Sequence, residues 1–141
     1  MATITHAREA VIQTLYAMEM GNDKAVEQFG EILKDKKIKG NKAEFSKKLL
    51  TGVLQNIDKI DTIIKEHLID WDFDRLDKVD KQILRVAIYE LLKTDTPFQI
   101  VIDEAVKIAK NFSEDKAKSF INGILDRVAK EQIEKNRLSK E

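Results

Sequence analysis

The sequence has no cysteine, one proline and five glycines among its 141 residues. Without cysteine there can be no disulfide bond, thiolate metal site or cysteine nucleophile, and nothing indicates an oxidising compartment. Because proline and glycine are scarce, the sequence contains few turn signals. Hydrophobic residues make up 43% and charged residues 35% of the chain. That balance favours long amphipathic helices over a turn-rich β architecture, so the sequence predicts an all-α fold.

The chain also lacks long apolar runs and a net charge. No apolar stretch approaches the ~18 to 20 residues of a membrane span, and the N-terminus has no signal-peptide pattern, so we expect a cytoplasmic protein without a membrane partner.

Basic and acidic side chains number 25 each, so the total charge does not indicate a nucleic-acid partner. Locally, Lys34 to Lys48 has seven lysines against two carboxylates, a net of +5, and Glu66 to Lys81 has a net of −3. Both segments are typical of solvated surface.

Apolar spacing predicts three helices in the first half. Positions 7, 10, 11, 14, 15 and 18 form one face of a helix that ends near residues 21–22. A weaker pattern around Phe29 predicts a second helix, followed by a basic loop over residues 34–42. The capping pattern from Asn41 to Glu44 then begins a long third helix, whose apolar stripe continues for about seven turns and ends near Asp70.

Further helices are predicted in the second half. Residues 79–92 are apolar on nearly all sides, which indicates a central helix buried against several neighbours. Thr96 is the predicted cap of the next helix, with Pro97 at the first helical position and Gln99 at the third, and this helix runs to Phe112. Ser113 is the predicted cap of a last helix, whose expected core face is Phe120, Ile121, Ile124, Leu125 and Val128.

A boundary near residues 70–74 divides the chain into an N-terminal helical bundle (1–72) and a C-terminal one (73–141). The long third helix and the apolar fourth need each other's faces, so neither half looks independent. We expect two packed bundles that form one compact unit.

Motifs for catalysis and metal binding are missing. Aspartates at positions 70, 72 and 74 resemble the start of a calcium loop, but the glycine and glutamate that the loop requires are replaced by Arg75 and Lys81. His6 and His67 are far apart in sequence and lack a recognised ligand spacing. There is no phosphate-binding loop or nucleophile elbow. We therefore expect neither an enzyme nor a metal or other cofactor.

Several motifs resemble one known family. They include Ala7-Arg8-Glu9, Trp71 with Arg75 and Leu76, and segment 79–91 (VDKQILRVAIYEL). The most specific are 101–110 (VIDEAVKIAK) and 120–126 (FINGILD). Together they resemble the NusB transcription antitermination factors along most of the chain.

The resemblance implies seven helices in two bundles and a non-catalytic role. NusB proteins bind the boxA element of ribosomal RNA transcripts together with NusE, a small-subunit ribosomal protein, and help RNA polymerase to elongate past terminators. Two alternatives stay open: a helical protein-interaction module that does not touch RNA, and an auxiliary domain for ribosomal RNA modification, although we expect no catalytic domain within this length. The oligomeric state is also open, with a homodimer as one alternative.

The resemblance implies an RNA site at His6, Arg8, Tyr16 and Arg85. Arginine can pair with a phosphate or stack on a base, and tyrosine offers a ring and a hydroxyl, which suits single-stranded RNA. Tyr16 also adjoins a core position, and Arg8 could instead pair with Glu9 or a neighbouring helix. Many relatives carry an arginine-rich run before Ala-Arg-Glu, where this chain has Thr3-Ile4-Thr5-His6. Fewer phosphate contacts would give a shallower salt dependence.

The same resemblance implies a NusE-facing surface. Asp80 matches an acidic position of the family, Lys116 replaces another, and Glu114 and Asp115 lie beside that replacement. A separate prediction concerns Gly123, which costs a helix interior about 1 kcal/mol relative to alanine. We expect this glycine to mark a close approach between the last helix and the small residues Ala105 and Ala109.

Overall fold

The computed structural model describes residues 2–69 and 72–139, and within those ranges the chain forms seven α-helices and no strand. An all-α fold is therefore confirmed. Asp70 and Trp71, which contributed to the calcium and family comparisons, lie outside the described residues. The helices are α1 (Ile4–Glu19), α2 (Phe29–Asp35), α3 (Gly40–Gln55), α4 (Ile57–Glu66), α5 (Lys78–Lys93), α6 (Phe98–Phe112) and α7 (Asp115–Ser139).

Helix α5 is the central element, as its apolar pattern predicts. Asp77 caps its N-terminus, since its Oδ1 accepts hydrogen bonds from the backbone N–H groups of Val79 and Asp80. It packs against α1, α3, α4, α6 and α7. One hydrophobic cluster includes buried residues from both predicted halves of the chain. The division into two bundles stays a prediction, but the core is continuous across it.

Helix α1 lies on α5 with one face buried. Thr3 caps it by accepting a hydrogen bond from the backbone N–H of His6, while the His6 ring accepts one from the N–H of Thr3. The predicted apolar face is confirmed, since Ala7, Ala10, Val11 and Leu15 are buried. The opposite face of α1 therefore remains exposed.

The predicted long third helix is wrong, because the chain breaks at Asn56 into α3 and α4. Asn56 has φ −117° and ψ 16°, outside the helical region, and its side-chain amide donates to the carbonyl of Gly52 at 2.8 Å. Asparagine side chains compete with helical backbone hydrogen bonds in this way. The apolar pattern does not reveal the break, because Ile60 and Ile64 of α4 are buried in the same core as the apolar residues of α3.

Three predicted helix caps are also wrong. Helix α3 begins at Gly40, before Asn41, and its first residue follows Lys39 without a side-chain cap. Pro97 rather than Thr96 precedes the first residue of α6. Ser113 ends α6, and its hydroxyl donates to Asp80 instead of capping α7. The predicted core face of α7 is confirmed at positions 121, 124, 125 and 128, which are buried, while Phe120 is partly buried.

The close-packed glycine is Gly52, and the prediction for Gly123 is wrong. A Cβ placed on Gly52 would overlap the ring of Tyr89 on α5. A Cβ on Gly123 would meet nothing within 4 Å, and no packing contact in the described structure explains that glycine. Ala105 and Ala109 are nevertheless buried on α6, which packs against α7.

No helix in the described part of the chain is both long and apolar enough to cross a membrane.

Substituting each of these two glycines by alanine should have opposite effects. Gly123→Ala should raise the free energy of unfolding by up to about 1 kcal/mol, because alanine is the better helix former and the site is open. Gly52→Ala should lower it, because the Tyr89 ring must move. Urea unfolding of both variants would test this, and an equal gain from Gly52→Ala would contradict the packing.

Candidate functional site

Arg8 lies buried between three helices, with 4% of the residue exposed. Its Nε and Nη2 donate to the two carboxylate oxygens of Glu90 on α5, at 2.9 and 2.8 Å. Nη1 donates to Glu104 on α6 at 2.9 Å, and Thr5 donates to the same oxygen of Glu104 at 2.7 Å. Of the alternatives that the sequence left open, pairing with neighbouring helices is the one observed.

The Arg8 charge is fully compensated inside the protein. Burial alone would lower the pKa of its guanidinium, but the hydrogen bonds and negative charges of Glu90 and Glu104 outweigh that effect and raise it. The ring of Phe45 also lies 5.1 Å from the guanidinium carbon. Direct contact between Arg8 and RNA stays a prediction, and it would require these ion pairs to open.

Arg85 is held in a similar way at the other end of α1. Its Nε and Nη2 each donate to Asp61 of α4 at 2.8 Å, and Nη1 donates to Glu19 at 3.1 Å and to Gln82 at 3.0 Å. The residue is 8% exposed. Arg85 therefore joins α5 to α4 and α1, and its contact with RNA likewise stays a prediction.

Glu19 is the acceptor at the centre of this second network. Lys81 and Gln82 donate to its carboxylate at 3.1 and 3.0 Å, beside the bond from Arg85. Burial alone would raise the pKa of Glu19, but hydrogen bonds from Gln82 and Lys81 and the positive charges of Lys81 and Arg85 outweigh it and lower the pKa. The C-terminal end of α1 is thus fixed to α5 by charge.

His6 and Tyr16 lie at the surface of α1. His6 is exposed and takes part in the helix cap. Tyr16 is 37% exposed, so the core position considered for it is not the one observed. It lines an apolar hollow of about 210 Å³ between α1, α5 and α6, whose other lining residues include Ile12, Val79 and Phe112. An aromatic ring and an adjoining apolar hollow are thus presented together.

Three of the four residues predicted to bind a protein partner surround one larger hollow. Asp80, Glu114 and Lys116 line a cavity of about 600 Å³ at the junction of α5 and α7. Its wall also contains Arg75, Leu76, Asp77, Ala117 and Phe120. Asp115, the first residue of α7, is exposed but does not line it. Val79, which lines the apolar hollow, and Asp80, which lines this cavity, are consecutive residues near the start of α5.

The Asp80 carboxylate is poised to attract a positive group. Burial raises its pKa most strongly, the negative charges of Asp77 and Glu114 raise it further, and the hydrogen bond from Ser113 opposes them. The pKa is raised overall, so ionisation of Asp80 is less favourable than that of a carboxyl group in water. A cation from a partner would relieve this repulsion.

Sequence reasoning missed the carboxylates that hold the two arginines. Glu90 stands in an otherwise apolar helix face and is 1% exposed, and a carboxylate in such a position requires a cation or hydrogen-bond donors. That pattern could have indicated a buried ion pair, although not its partner. In the described residues no cluster of three or more histidine or acidic side chains could hold a metal ion.

The sequence matches a known protein family over most of its length. The NusB family model matches residues 5–130. The transcription antitermination protein NusB of a Nitratiruptor species is 45% identical and covers 93% of this chain and 94% of its own length. NusB of Helicobacter pylori (strain Shi470) is 42% identical, covering 96% and 98%.

Two solved structures share the fold. T. maritima NusB superposes with a TM-score of 0.83 at 35% identity, covering 94% of this chain and 98% of that one. A crystal structure of the antitermination factors NusB and NusE in complex with dsRNA gives a TM-score of 0.79 at 33% identity, covering 89% and 95%. The shared fold and the sequence relatives thus define a small all-helical protein of the transcription antitermination class.

Family membership follows from both the sequence and the structure. The chain belongs to the NusB family, because the family model and relatives above 40% identity span nearly its whole length.

Removing the Arg8 side chain should destabilise the protein severely. Arg8→Ala leaves Glu90 and Glu104 without their cation, and breaking a buried pair in this way costs about 3–5 kcal/mol. Lys47→Ala is the control, because its pair with Glu44 is exposed and the atoms are 4.0 Å apart. Denaturant unfolding measures both variants. If Arg8→Ala kept normal stability and lost only RNA binding, Arg8 would be a direct RNA contact.

Stability should fall in acid partly through Glu19. Its pKa is lowered from the usual 4.5 in the folded protein, so its contribution is complete above that value and is lost as the pH falls through the folded pKa. Glu19→Gln should therefore be less stable at neutral pH and lose less stability on acidification. Unfolding curves at neutral pH and at steps below pH 4.5 would show this. Parallel pH profiles for both proteins would contradict the role of Glu19.

Proposed function

We propose that this protein is a non-catalytic, RNA-binding antitermination factor. It would pair with NusE, bind boxA-type single-stranded RNA in ribosomal RNA transcripts, and support elongation by RNA polymerase. The observation that carries the proposal is the likeness to the NusB chain in the complex of NusB and NusE with dsRNA. Family membership supports the same function.

The proposed RNA site follows the exposed face of α1. His6 and Tyr16 are accessible there, and Tyr16 offers a ring on which an unpaired base can stack. Arg8 and Arg85 belong to the proposed site, but their guanidinium groups are occupied by carboxylates. We assign them the role of holding α1 and α4 against α5, which positions the face that meets RNA.

The proposed NusE site is the hollow around Asp80. Asp80 and Glu114 place negative charge on its wall, with Lys116 and Arg75 at the same opening and Asp115 beside it. A partner with a cationic side chain would satisfy the Asp80 carboxylate. Val79 lines the apolar hollow below Tyr16 and precedes Asp80 on α5, so protein and RNA would bind close to the same end of that helix.

Two observations favour the alternative of a protein-interaction module without an RNA site. Both arginines assigned to RNA are already paired, and the chain has no net charge. On this alternative, the protein would bind its partner through the Asp80 hollow, and RNA retention by the complex would not depend on it.

A labelled boxA RNA distinguishes the two functions. The protein should bind it more tightly when NusE is present, and a scrambled RNA of the same composition should bind more weakly under the same salt series. Equal affinity for both RNAs would reject boxA recognition. RNA retention by NusE that is unchanged when this protein is left out would select the alternative.

Two variants test which surface binds RNA and which binds NusE. Tyr16→Ala should weaken RNA binding by about 1–3 kcal/mol, the typical contribution of one base stacked on an aromatic side chain, with Met20→Ala as an exposed control just beyond the end of the same helix. Asp80→Asn should weaken NusE binding, whereas Asp58→Asn, which changes an exposed aspartate on α4, should not. NusE binding should also strengthen as the pH rises through the raised pKa of Asp80, because ionisation creates the charge that the partner pairs with.

A further inference from the structure

The lysine-rich segment forms an ordered turn between α2 and α3. The N–H of Ile38 donates to the carbonyl of Leu33 at 2.9 Å, and that of Lys37 donates to Lys34 at 3.0 Å. This pair of bonds is the Schellman arrangement that closes a helix C-terminus. Ile38 is 3% exposed and anchors the turn in the core. The lysines around it are therefore presented from a fixed backbone.

Lys37 occupies a backbone conformation that suits glycine. Its φ is +59°, and it is the only residue other than glycine with a positive φ in the described structure. A side chain there costs about 1–2 kcal/mol, and the arrangement usually carries glycine or asparagine. The turn would be more stable with glycine, so the lysine requires an explanation beyond folding.

The positive charge of this turn is not neutralised within the protein. Lys36, Lys37 and Lys39 are exposed and make no ion pair in the described structure. Lys42 donates to the carbonyl of Ala2 at 2.8 Å, a bond that leaves its charge uncompensated. The buried cations Arg8 and Arg85 are paired with carboxylates, whereas Lys37, Lys39 and Lys42 line one hollow without an ion pair in the described structure.

The turn lies beside the start of α1. Lys37, Lys39 and Lys42 surround a hollow of about 370 Å³ with Ala2, which directly precedes the Thr3 cap. His6 lies one turn further along α1, and Tyr16 lies about 15 Å beyond His6 at the usual helical rise. A strand that follows α1 from Tyr16 to His6 would reach the lysines next.

We propose that the lysine turn, residues 36–42, binds the phosphate backbone of the RNA and extends the RNA site past the N-terminal end of α1. A positively charged hollow that continues an aromatic surface is the arrangement by which proteins hold single strands without reading their sequence. The segment before α1 has no arginine. The lysine turn between α2 and α3 would supply phosphate contacts at that end of α1 instead. The inference rests on the proposed RNA-binding function.

Charge-removal variants test the proposal in the complex with NusE and boxA RNA. For Lys37→Gln/Lys39→Gln, the slope of log affinity against log salt should become shallower by about 1.4, because each phosphate contact on a single strand contributes about 0.7. Lys59→Gln/Lys107→Gln removes the same charge from exposed positions on α4 and α6 and should leave the slope near that of the wild type.

Lys37→Gly separates function from folding. It should raise the Tm by about 2–4 °C, because glycine relieves the positive φ, while weakening RNA binding. A structural role for Lys37 would instead give lower stability together with weaker binding, and unchanged binding would also overturn the proposal.

The outcomes distinguish the turn from the function on which it rests. If the wild-type complex fails to prefer boxA RNA, the proposed function fails. If it binds normally but the Lys37→Gln/Lys39→Gln slope equals that of the wild type, only the lysine turn is rejected. If that variant instead loses NusE in the absence of RNA, the turn binds protein and the proposal is likewise rejected.

Discussion

A guanidinium that leaves water must be surrounded by acceptors, and Arg8 meets this requirement only when α1, α5 and α6 are correctly placed. Glu90 and Glu104 come from two different helices, and both must be present to satisfy the nitrogens that Arg8 presents. Because bidentate pairs tolerate little displacement, this network sets how α1 lies on α5. The exposed face of α1 is thereby set as well.

The network around Glu19 applies the same constraint at the other end of α1. Lys81 and Arg85 hold Glu19 from α5, and Asp61 brings α4 to the same guanidinium. With a charge network near each end, α1 cannot slide along α5 without leaving a buried charge unpaired, which costs several kcal/mol. Hydrophobic packing alone is less specific, since it tolerates shifts between similar side chains. We interpret the two networks as the source of a single helix register.

The local sequence predicts most of the fold, because helix faces are determined by neighbours three and four residues apart. The central position of α5 and the buried faces of α1 and α7 follow directly from that spacing. The helix break at Asn56 is not predicted, because the apolar spacing continues from α3 into α4 without interruption. The error over Gly123 has another cause: periodicity shows which face a residue occupies, but not what lies opposite. Gly52 has a ring opposite it, and Gly123 has open space.

The candidate site is less predictable still, because its partners are distant in sequence. Arg8 and Glu90 are 82 residues apart, so no local pattern could show that Arg8 is already paired.

Arginine and lysine have largely different roles in the described structure, although Lys81 is also buried in an ion pair with Glu19. The planar fork of arginine matches a carboxylate in a dry site, while the strongly hydrated ammonium of lysine favours the surface. Arg8 and Arg85 accordingly make buried pairs, and Arg127 donates to the carbonyl of His67, just beyond the end of α4. Arginine side chains that make these internal hydrogen bonds are less available to bind an external ligand. Since the chain has no net charge, attraction of a polyanion has to come from an uneven distribution of its charged side chains. The ordered turn between α2 and α3 provides that unevenness, because it holds exposed ammonium groups close together and makes no ion pair with a described carboxylate.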